Sequence, residues 1–267
     1  MRRLRLVILP CLILPLLLHA QTADDVIALH VKALGGLQKL KALQTMRVVQ
    51  RIDDGKSDDY RFVIFRKRGS VQSPGNKFRM ESEDKGIITV SGCDGQISWM
   101  KSGNQPSRKI SSEAYCGRAA DIDELLVDYR RKGFKVVLAG KEETEGRAVF
   151  HLMLTGPKND GKGTHLYIDA KSYLLIKISS EGAEHHEDIL SDYRPVNGVM
   201  FPFVDEMRWW PVAGKDTAQD GATGKGHQKQ IVEKLAFNLP LKDEFFKMPL
   251  SDLSKIPEKS ARSRDKR

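Results

Sequence analysis

Most of the chain between residues 46 and 238 alternates apolar and polar side chains over short runs, which is the pattern of half-buried strands. Such runs predict strands at 46–52, 60–68, 77–82, 87–91, 96–101, 135–142, 148–155, 164–169, 174–180, 184–194, 199–210 and 228–238. Most connections are short and polar or contain glycine, as hairpins require. Because no helical pattern separates the strands of the second half, we predict an antiparallel meander and exclude a doubly wound parallel sheet.

Within these runs, alternate residues are apolar, and the residues between them are mostly polar or charged. Asn197-Gly198 is the clearest hairpin signal, and the run after it places large apolar side chains at alternate positions. The predicted apolar face consists of Phe78, Met80, Ile97, Trp99, Phe150, Leu152, Leu154, Leu174, Ile176, Ile178, Ile189, Tyr193, Phe201, Phe203, Met207, Trp209, Leu235 and Phe237. The opposite parity carries charged residues such as Arg79 and Lys177, so one face of the sheet is expected to be buried.

Helical patterns are few. Apolar positions at three-four spacing predict a helix over 23–34, stopped by Gly35-Gly36, and a short second helix over 37–43. A third helix is predicted over 121–131, with Gly133 after its end. A sheet of about a dozen strands must curl or split. We therefore predict a mainly β (α+β) fold: a curled antiparallel half-barrel sheet of about 11–12 strands, covered on its concave face by helices.

The first twenty residues have the form of a signal peptide. Three arginines precede an apolar run that ends near Ala20 and is too short for a comfortable membrane span. We expect cleavage near Ala20, export to the periplasm, a domain over 21–250 and a tail over 251–267. Cys11 lies inside the apolar run, so it is a poor site for lipid attachment.

Export leaves Cys93 and Cys116 as the two cysteines of the mature chain. Two cysteines in an oxidising compartment allow one pairing, and we predict a disulfide between them. A redox or metal pair is the weaker alternative, because there is no CxxC and no histidine nearby in sequence.

The net charge of +9 is unevenly distributed. Removing the three arginines of the signal segment leaves +6, and the tail, with six basic and three acidic residues, holds +3 of that. The body is therefore only mildly basic, which argues against nucleic-acid binding. The tail, poor in large apolar residues, is expected to be disordered and solvated; transient contact with a membrane surface is the alternative.

No catalytic or metal-binding signature is present. The sequence lacks HExxH, GxSxG and a P-loop. The cluster 181–188 contains His185 and His186, but adjacent residues on a strand point to opposite faces and do not readily share one ion. We predict a non-enzymatic protein without a cofactor or metal.

Several segments in order resemble bacterial outer-membrane lipoprotein-sorting proteins of the LolA/LolB-like group. They are "ADDVIALHVKALGGLQKLKALQTM", "NKFRMES", "CDGQISWM", "AYCGRAADIDELLVDY", "YIDAKSYLLIKI", "SDYRPVNGVMFPF" and "EKLAFNLPLKDEFFKMP". The resemblance spans about 23–249. It implies an open half-barrel with helices as a lid, and a hydrophobic cavity that accepts acyl chains in the periplasm. The two cysteines and the basic tail depart from the dedicated carrier.

The expected function is therefore a periplasmic carrier or binder of lipids or lipoprotein acyl chains. Its partners would be a lipid or acylated protein and envelope transport proteins. The alternative is a structural or interaction protein of the envelope with the same fold and a filled core. Parity predicts that six residues line the cavity: Trp99, Ile178, Phe201, Phe203, Met207 and Trp209.

Overall fold

The computed structural model describes residues 21–53, 60–73, 75–111, 115–116, 120–156, 163–182, 184–212 and 225–249. The predicted signal peptide at 1–20 and the tail at 251–267 lie outside these residues. No helix in the described part is long and apolar enough to cross a membrane.

One open antiparallel sheet contains every strand of the described residues. The strands are β1 (Thr45–Asp53), β2 (Tyr60–Lys67), β3 (Lys77–Asp84), β4 (Ile87–Cys93), β5 (Ser98–Ser102), β6 (Arg108–Lys109), β7 (Lys135–Thr144), β8 (Arg147–Thr155), β9 (Thr164–Asp169), β10 (Leu175–Glu181), β11 (Glu184–Val196), β12 (Val199–Pro211) and β13 (Gly226–Phe237). Their spatial order is β6-β5-β4-β3-β2-β1-β13-β12-β11-β10-β9-β8-β7, so β6 and β7 are the edges. The predicted 11–12 strands become thirteen because β6, with two residues, is too short to show an alternating pattern.

Pairing of the first strand with the last joins two meanders into one sheet. Val48 of β1 lies opposite Ile64 of β2 on one side and Leu235 of β13 on the other. The β11–β12 hairpin turns at Asn197 and Gly198, whose φ angles of 50° and 75° are both positive. A two-residue type I′ turn needs this geometry, which explains the Asn-Gly pair.

Two α-helices precede the sheet. Helix α1 (Ala23–Ala33) begins at Thr22, whose hydroxyl accepts a hydrogen bond from the Asp25 backbone while the Asp25 carboxylate accepts one from the Thr22 backbone. It buries Val26, Ile27 and His30. Helix α2 (Leu37–Lys41) follows the Gly35-Gly36 break.

The predicted helix over 121–131 is wrong. Residues 120–134, here called the crossover segment, form successive turns before β7, with i→i+3 bonds such as Arg131 N to Asp128 O at 2.8 Å. Asp128 has a φ of 51°, which an α-helix cannot contain. The segment still buries Ile122, Leu126 and Val127. The sheet is therefore covered by α1, α2 and non-helical turns, which together are called the lid.

The lid packs on the face that carries Val48, Phe203 and Leu152, called the inner face. One core cluster joins this face of β1, β12 and β13 to Leu34, Leu40 and Ile122 of the lid region. A second joins β8, β9 and β10 to Val26, Ile27 and Leu126. Val31 of α1 packs against both clusters, so the two halves of the sheet curl around the same helix.

A disulfide joins Cys93 at the end of β4 to Cys116, and the Cα atoms are 5.4 Å apart, which confirms the predicted pairing. Ser98 of the neighbouring strand donates from its hydroxyl toward Cys116 Sγ at 3.4 Å and accepts from the Cys116 backbone at 3.2 Å. The bridge therefore fastens the chain that leads into the lid to the sheet.

We expect the double variant Cys93→Ala/Cys116→Ala to lose about 3 kcal/mol of unfolding free energy, because the unfolded chain gains the freedom of a loop with sequence separation 23. Urea unfolding of the variant and of the oxidised and reduced wild type measures this loss. The reduced wild type is the control, because it lacks the disulfide but keeps both buried sulfur atoms. An unchanged midpoint on reduction, with both thiols shown free by alkylation, would contradict the expectation.

Candidate functional site

A cavity of about 280 Å³ lies between the lid and the inner face of β1, β2 and β10–β13. Most of its wall is apolar. The apolar lining includes Leu34, Leu40, Leu43, Met46, Leu175, Ile178, Leu190, Phe201 and Phe237. An internal apolar space of this kind can hold hydrocarbon, because lining and ligand both leave water on binding.

Charged side chains line one part of the same cavity. They are Arg66 of β2 and Asp121, Asp123 and Glu124 of the crossover segment. Asp123 lies 3.2 Å from Arg68 Nη1, while Asp121 accepts a hydrogen bond from Asn76 at 2.8 Å and lies 3.4 Å from Lys132 Nζ. Burial lowers the pKa of Arg66 to about 10, although attraction to Asp121 opposes the shift. The guanidinium still carries its charge at neutral pH.

A buried pair joins α1 to the crossover segment. The ring of His30 is fully buried; Nδ1 donates to the Tyr173 carbonyl at 2.7 Å and Nε2 lies 3.4 Å from Glu124 Oε2. Burial by itself would lower the pKa of His30, but attraction to Glu124 outweighs it and raises that pKa. The pKa of Glu124 is lowered by His30 against an opposing burial effect. Each group therefore favours the charged form of the other.

Two further polar groups lie on the inner side of the sheet. The Tyr193 hydroxyl donates to the Leu175 carbonyl at 2.6 Å, and burial raises its pKa. Asp205 Oδ1 is buried without a hydrogen-bond partner among the described residues. Burial, with repulsion from Asp188, raises the pKa of Asp205 to about 7.

The six residues predicted to line a cavity separate into four groups. Ile178 and Phe201 line the cavity described above. Phe203 is 8% exposed and belongs to the core cluster around Val48. Met207 and Trp209 lie further along β12, outside the lining, opposite Asp188 and His186.

Trp99 lies on the outer face of the sheet. It pairs with Gly92, which pairs with Arg79, whereas the inner-face ladder runs through Phe78, Cys93 and Ser98. A Cβ at position 92 would lie 2.7 Å from the Trp99 ring, so glycine leaves room for the indole. Trp99 is fully buried there, and its Nε1 donates to the Phe246 carbonyl at 2.9 Å in the 3-10 helix Asp243–Phe246.

Arg66, Glu124 and Tyr193 were not among the predicted site residues. A signal for Arg66 exists in the sequence, since it shares the inward parity of Ile64 in β2 and pairs with Met46. The alternating pattern places Tyr193 on the inner face and does not indicate that it lines the cavity. The sequence does not predict that Glu124 lines the cavity, because its position depends on turns in a segment where the pattern predicts a helix.

A larger, open groove of about 520 Å³ lies on the outside of the lid, between α1 and the crossover segment. Its floor includes Ile27 and Val31, and its rim carries Lys32, Arg130 and Arg131. Arg130 forms a salt bridge with Asp24, in which Nη2 lies 2.7 Å from Oδ2.

The described residues include no group of three or more His, Cys, Asp or Glu arranged to hold a metal ion. In the cluster 181–188, the ring of His185 is tilted by 31° against that of Trp210, and the ring centroids are 4.3 Å apart. His186 lies 3.5 Å from Glu184.

The fold is LolA-like. A LolA superfamily protein from Nitrosomonas europaea, NE2245, superposes with a TM-score of 0.54 at 14% identity, over 85% of this chain and 98% of that one. A putative outer membrane lipoprotein-sorting protein domain from Vibrio parahaemolyticus gives 0.52 at 15%, over 82% and 95%. A DUF1329 family protein from Desulfovibrio piger gives 0.53 at 13%, over 85% and 98%. No protein-family model matches the sequence, and no curated protein matches it.

Proposed function

We propose that this protein binds lipids or lipoprotein acyl chains, without catalysis, as a carrier or binder in the periplasm. The observation that carries the proposal is the cavity of about 280 Å³ between the lid and the sheet. Its wall is largely aliphatic and aromatic, and Met46 and Met200 add flexible side chains that adapt to ligands of varied shape.

Two further observations support the proposal. The fold is shared with a putative outer membrane lipoprotein-sorting protein domain, at an identity of 15% that transfers the fold alone. The first twenty residues also have the composition of a signal peptide, which would place an acyl-chain binder in the envelope. Envelope transport proteins would then be its partners.

The test is uptake of dodecanoic acid that carries a terminal fluorophore, together with native mass spectrometry of protein purified gently from its own envelope. We expect saturable uptake and a retained lipid mass. Ile178→Phe, which adds volume inside the cavity, should weaken uptake about tenfold. Ile189→Phe is the matched control. The prediction that Ile189 belongs to the inner face is wrong, because it lies on the adjacent strand opposite Lys177, at the outward parity.

A structural or interaction protein with a filled core is the alternative. It gains some support from Phe203, which is packed in the core. This alternative predicts that no lipid is retained, that fluorescent dodecanoic acid is not taken up, and that Ile178→Phe and Ile189→Phe do not differ in uptake. That set of results would reject the proposed function.

A further inference from the structure

A carboxyl group without a hydrogen-bond partner lies on the inner face of the sheet, beside the cavity. Asp205 is in the middle of β12 and pairs with Leu190 of β11, which lines the cavity. Its Oδ1 atom is buried without a hydrogen-bond partner among the described residues. Buried polar groups in folded proteins almost always have such a partner, so this exception needs a physical reason.

The neighbouring uncharged polar side chains make their hydrogen bonds elsewhere. Gln230 of β13 lies opposite Asp205, but its Nε2 donates to Met207 Sδ at 3.0 Å. The hydroxyl of Tyr193 donates to the Leu175 carbonyl at 2.6 Å. Burial raises the pKa of Tyr193, and nearby negative charges that include Asp205 add to this shift. Neither side chain therefore supplies a hydrogen bond to Asp205 Oδ1.

The charged group that faces Asp205 is a second carboxylate. Asp188 of β11 lies two residues before the partner of Asp205 and pairs with Ile178 of β10, which also lines the cavity. Burial raises the pKa of Asp205 to about 7, and among the described residues Asp188 is the only charged group that adds to this shift. Asp188 has a further interaction of its own, so the carboxyl that takes the proton is that of Asp205. Further along β11, His186 pairs with Glu184 at 3.5 Å.

A hydrocarbon chain in the cavity would change the surroundings of this carboxyl group. Ile178 and Leu190 line the cavity, and each lies directly opposite one of the two acids. A chain that lies on this wall is therefore beside Asp205 and removes water from it. Loss of water disfavours the charged form of a carboxyl group, so ligand binding and protonation of Asp205 favour each other.

We propose that binding of an acyl chain in the cavity is coupled to uptake of a proton by Asp205, so that the protein holds its ligand more tightly at low pH than at high pH. This inference rests on the proposed function and adds a regulatory property to it. The sign follows from linkage, because the bound state favours the protonated carboxyl group. The affinity should be highest below pH 7 and should fall as the pH rises through about 7, where Asp205 of the free protein loses its proton.

The test is a calorimetric titration of the full mature chain with 1-dodecanoyl glycerol, from about pH 5.5 to about pH 8.5 and below the concentration at which this ligand aggregates. The ligand has no ionisable group, so any pH dependence belongs to the protein. We expect at least about fivefold higher affinity at the acidic end, since a rise of about one unit in the pKa of Asp205 on binding allows up to tenfold. Titrations at neutral pH in two buffers of different ionisation enthalpy should show proton uptake.

A variant assigns the proton to Asp205. Asp205→Asn keeps the shape of the side chain and cannot titrate, so its affinity should stay within about threefold of the low-pH wild-type value across the range. The His30–Glu124 pair beside the same cavity is unchanged in this variant, which separates its effect from that of Asp205. Asp84→Asn is the matched control: Asp84 is exposed at the end of β3, outside the cavity lining, so the wild-type pH dependence should remain.

Equal wild-type affinity at both ends of the pH range would overturn the inference even if Asp205→Asn does not fold, and would leave the proposed function standing. Wild-type pH dependence in a folded Asp205→Asn protein would also overturn it, because another group would then take up the proton. Failure of the wild type to bind 1-dodecanoyl glycerol at any pH would reject the inference and the proposed function together.

Discussion

Replacing Phe203 with alanine is expected to lower the free energy of unfolding by about 3–5 kcal/mol and to leave lipid affinity nearly unchanged. The ring is 8% exposed and lies in the core cluster that joins Val48 and Val232 of the sheet to Leu34 beside the lid. Removing it would open a hole that close-packed neighbours cannot fill completely. Urea unfolding and titration with dodecanoate measure the two quantities on the same preparation.

Phe201 provides the matched comparison, since it is the same residue type two positions earlier on β12 but lines the cavity. Phe201→Ala enlarges a space that already exists, so it should cost less stability than Phe203→Ala and should alter lipid affinity. Similar stability losses for both variants, with affinity unchanged in both, would show that Phe201 also belongs to a filled core.

The strand pattern could be predicted almost completely from the sequence. All twelve predicted strands are present, and their ends agree within two residues. The prediction works because apolar and polar side chains alternate along a strand that has one buried and one solvent-exposed face. The crossover segment was the failure. Its apolar spacing imitates a helix, but Asp128 adopts a positive φ and the turns bury nearly the same side chains.

The candidate site could be predicted only in part, for two physical reasons. Alternation gives the two faces of a strand but not which of them turns inward, and the inner-face register passes through Ser98 and places Trp99 outside. Alternation also does not distinguish residues that line the cavity from residues that pack in the core when both lie on the same face of the sheet. Phe201 and Phe203 share a parity, and only the position of the lid decides that one borders empty space.

The buried pair of His30 and Glu124 illustrates the same limit. The helical spacing of α1 places His30 on its buried face, but the partner comes from a distant turn that the sequence pattern assigned to a helix. The pair adds a charged contact between two parts of the lid directly beside the cavity wall. Its removal should therefore loosen the lid as well as change the pH dependence of stability.

We expect Glu124→Gln to reduce the unfolding free energy by about 3 kcal/mol near pH 6. This is the lower end of the range for breaking a buried pair, because His30 can release its proton and the Glu124 side chain is 20% accessible. Glu244→Gln is the control, since the Glu244–Lys247 pair is exposed on both sides and should contribute little.

The pH profile separates lost charge pairing from lost packing. In the wild type the pKa of His30 is raised above 6.5, so its stabilisation is fully present below pH 6.5 and is lost as pH rises through the raised pKa. The pKa of Glu124 is lowered below 4.5, so its contribution is present above pH 4.5 and is lost as pH falls through the lowered pKa. In Glu124→Gln, burial acts on His30 without an opposing charge and lowers its pKa, so this histidine should destabilise the fold as pH falls below 6.5. Urea unfolding at several pH values, with the His30 ring followed by NMR, measures this. Near pH 6.5 the free energy of unfolding should fall with rising pH in the wild type and rise with rising pH in Glu124→Gln. The same slope in both proteins would mean that the two groups are not electrostatically coupled.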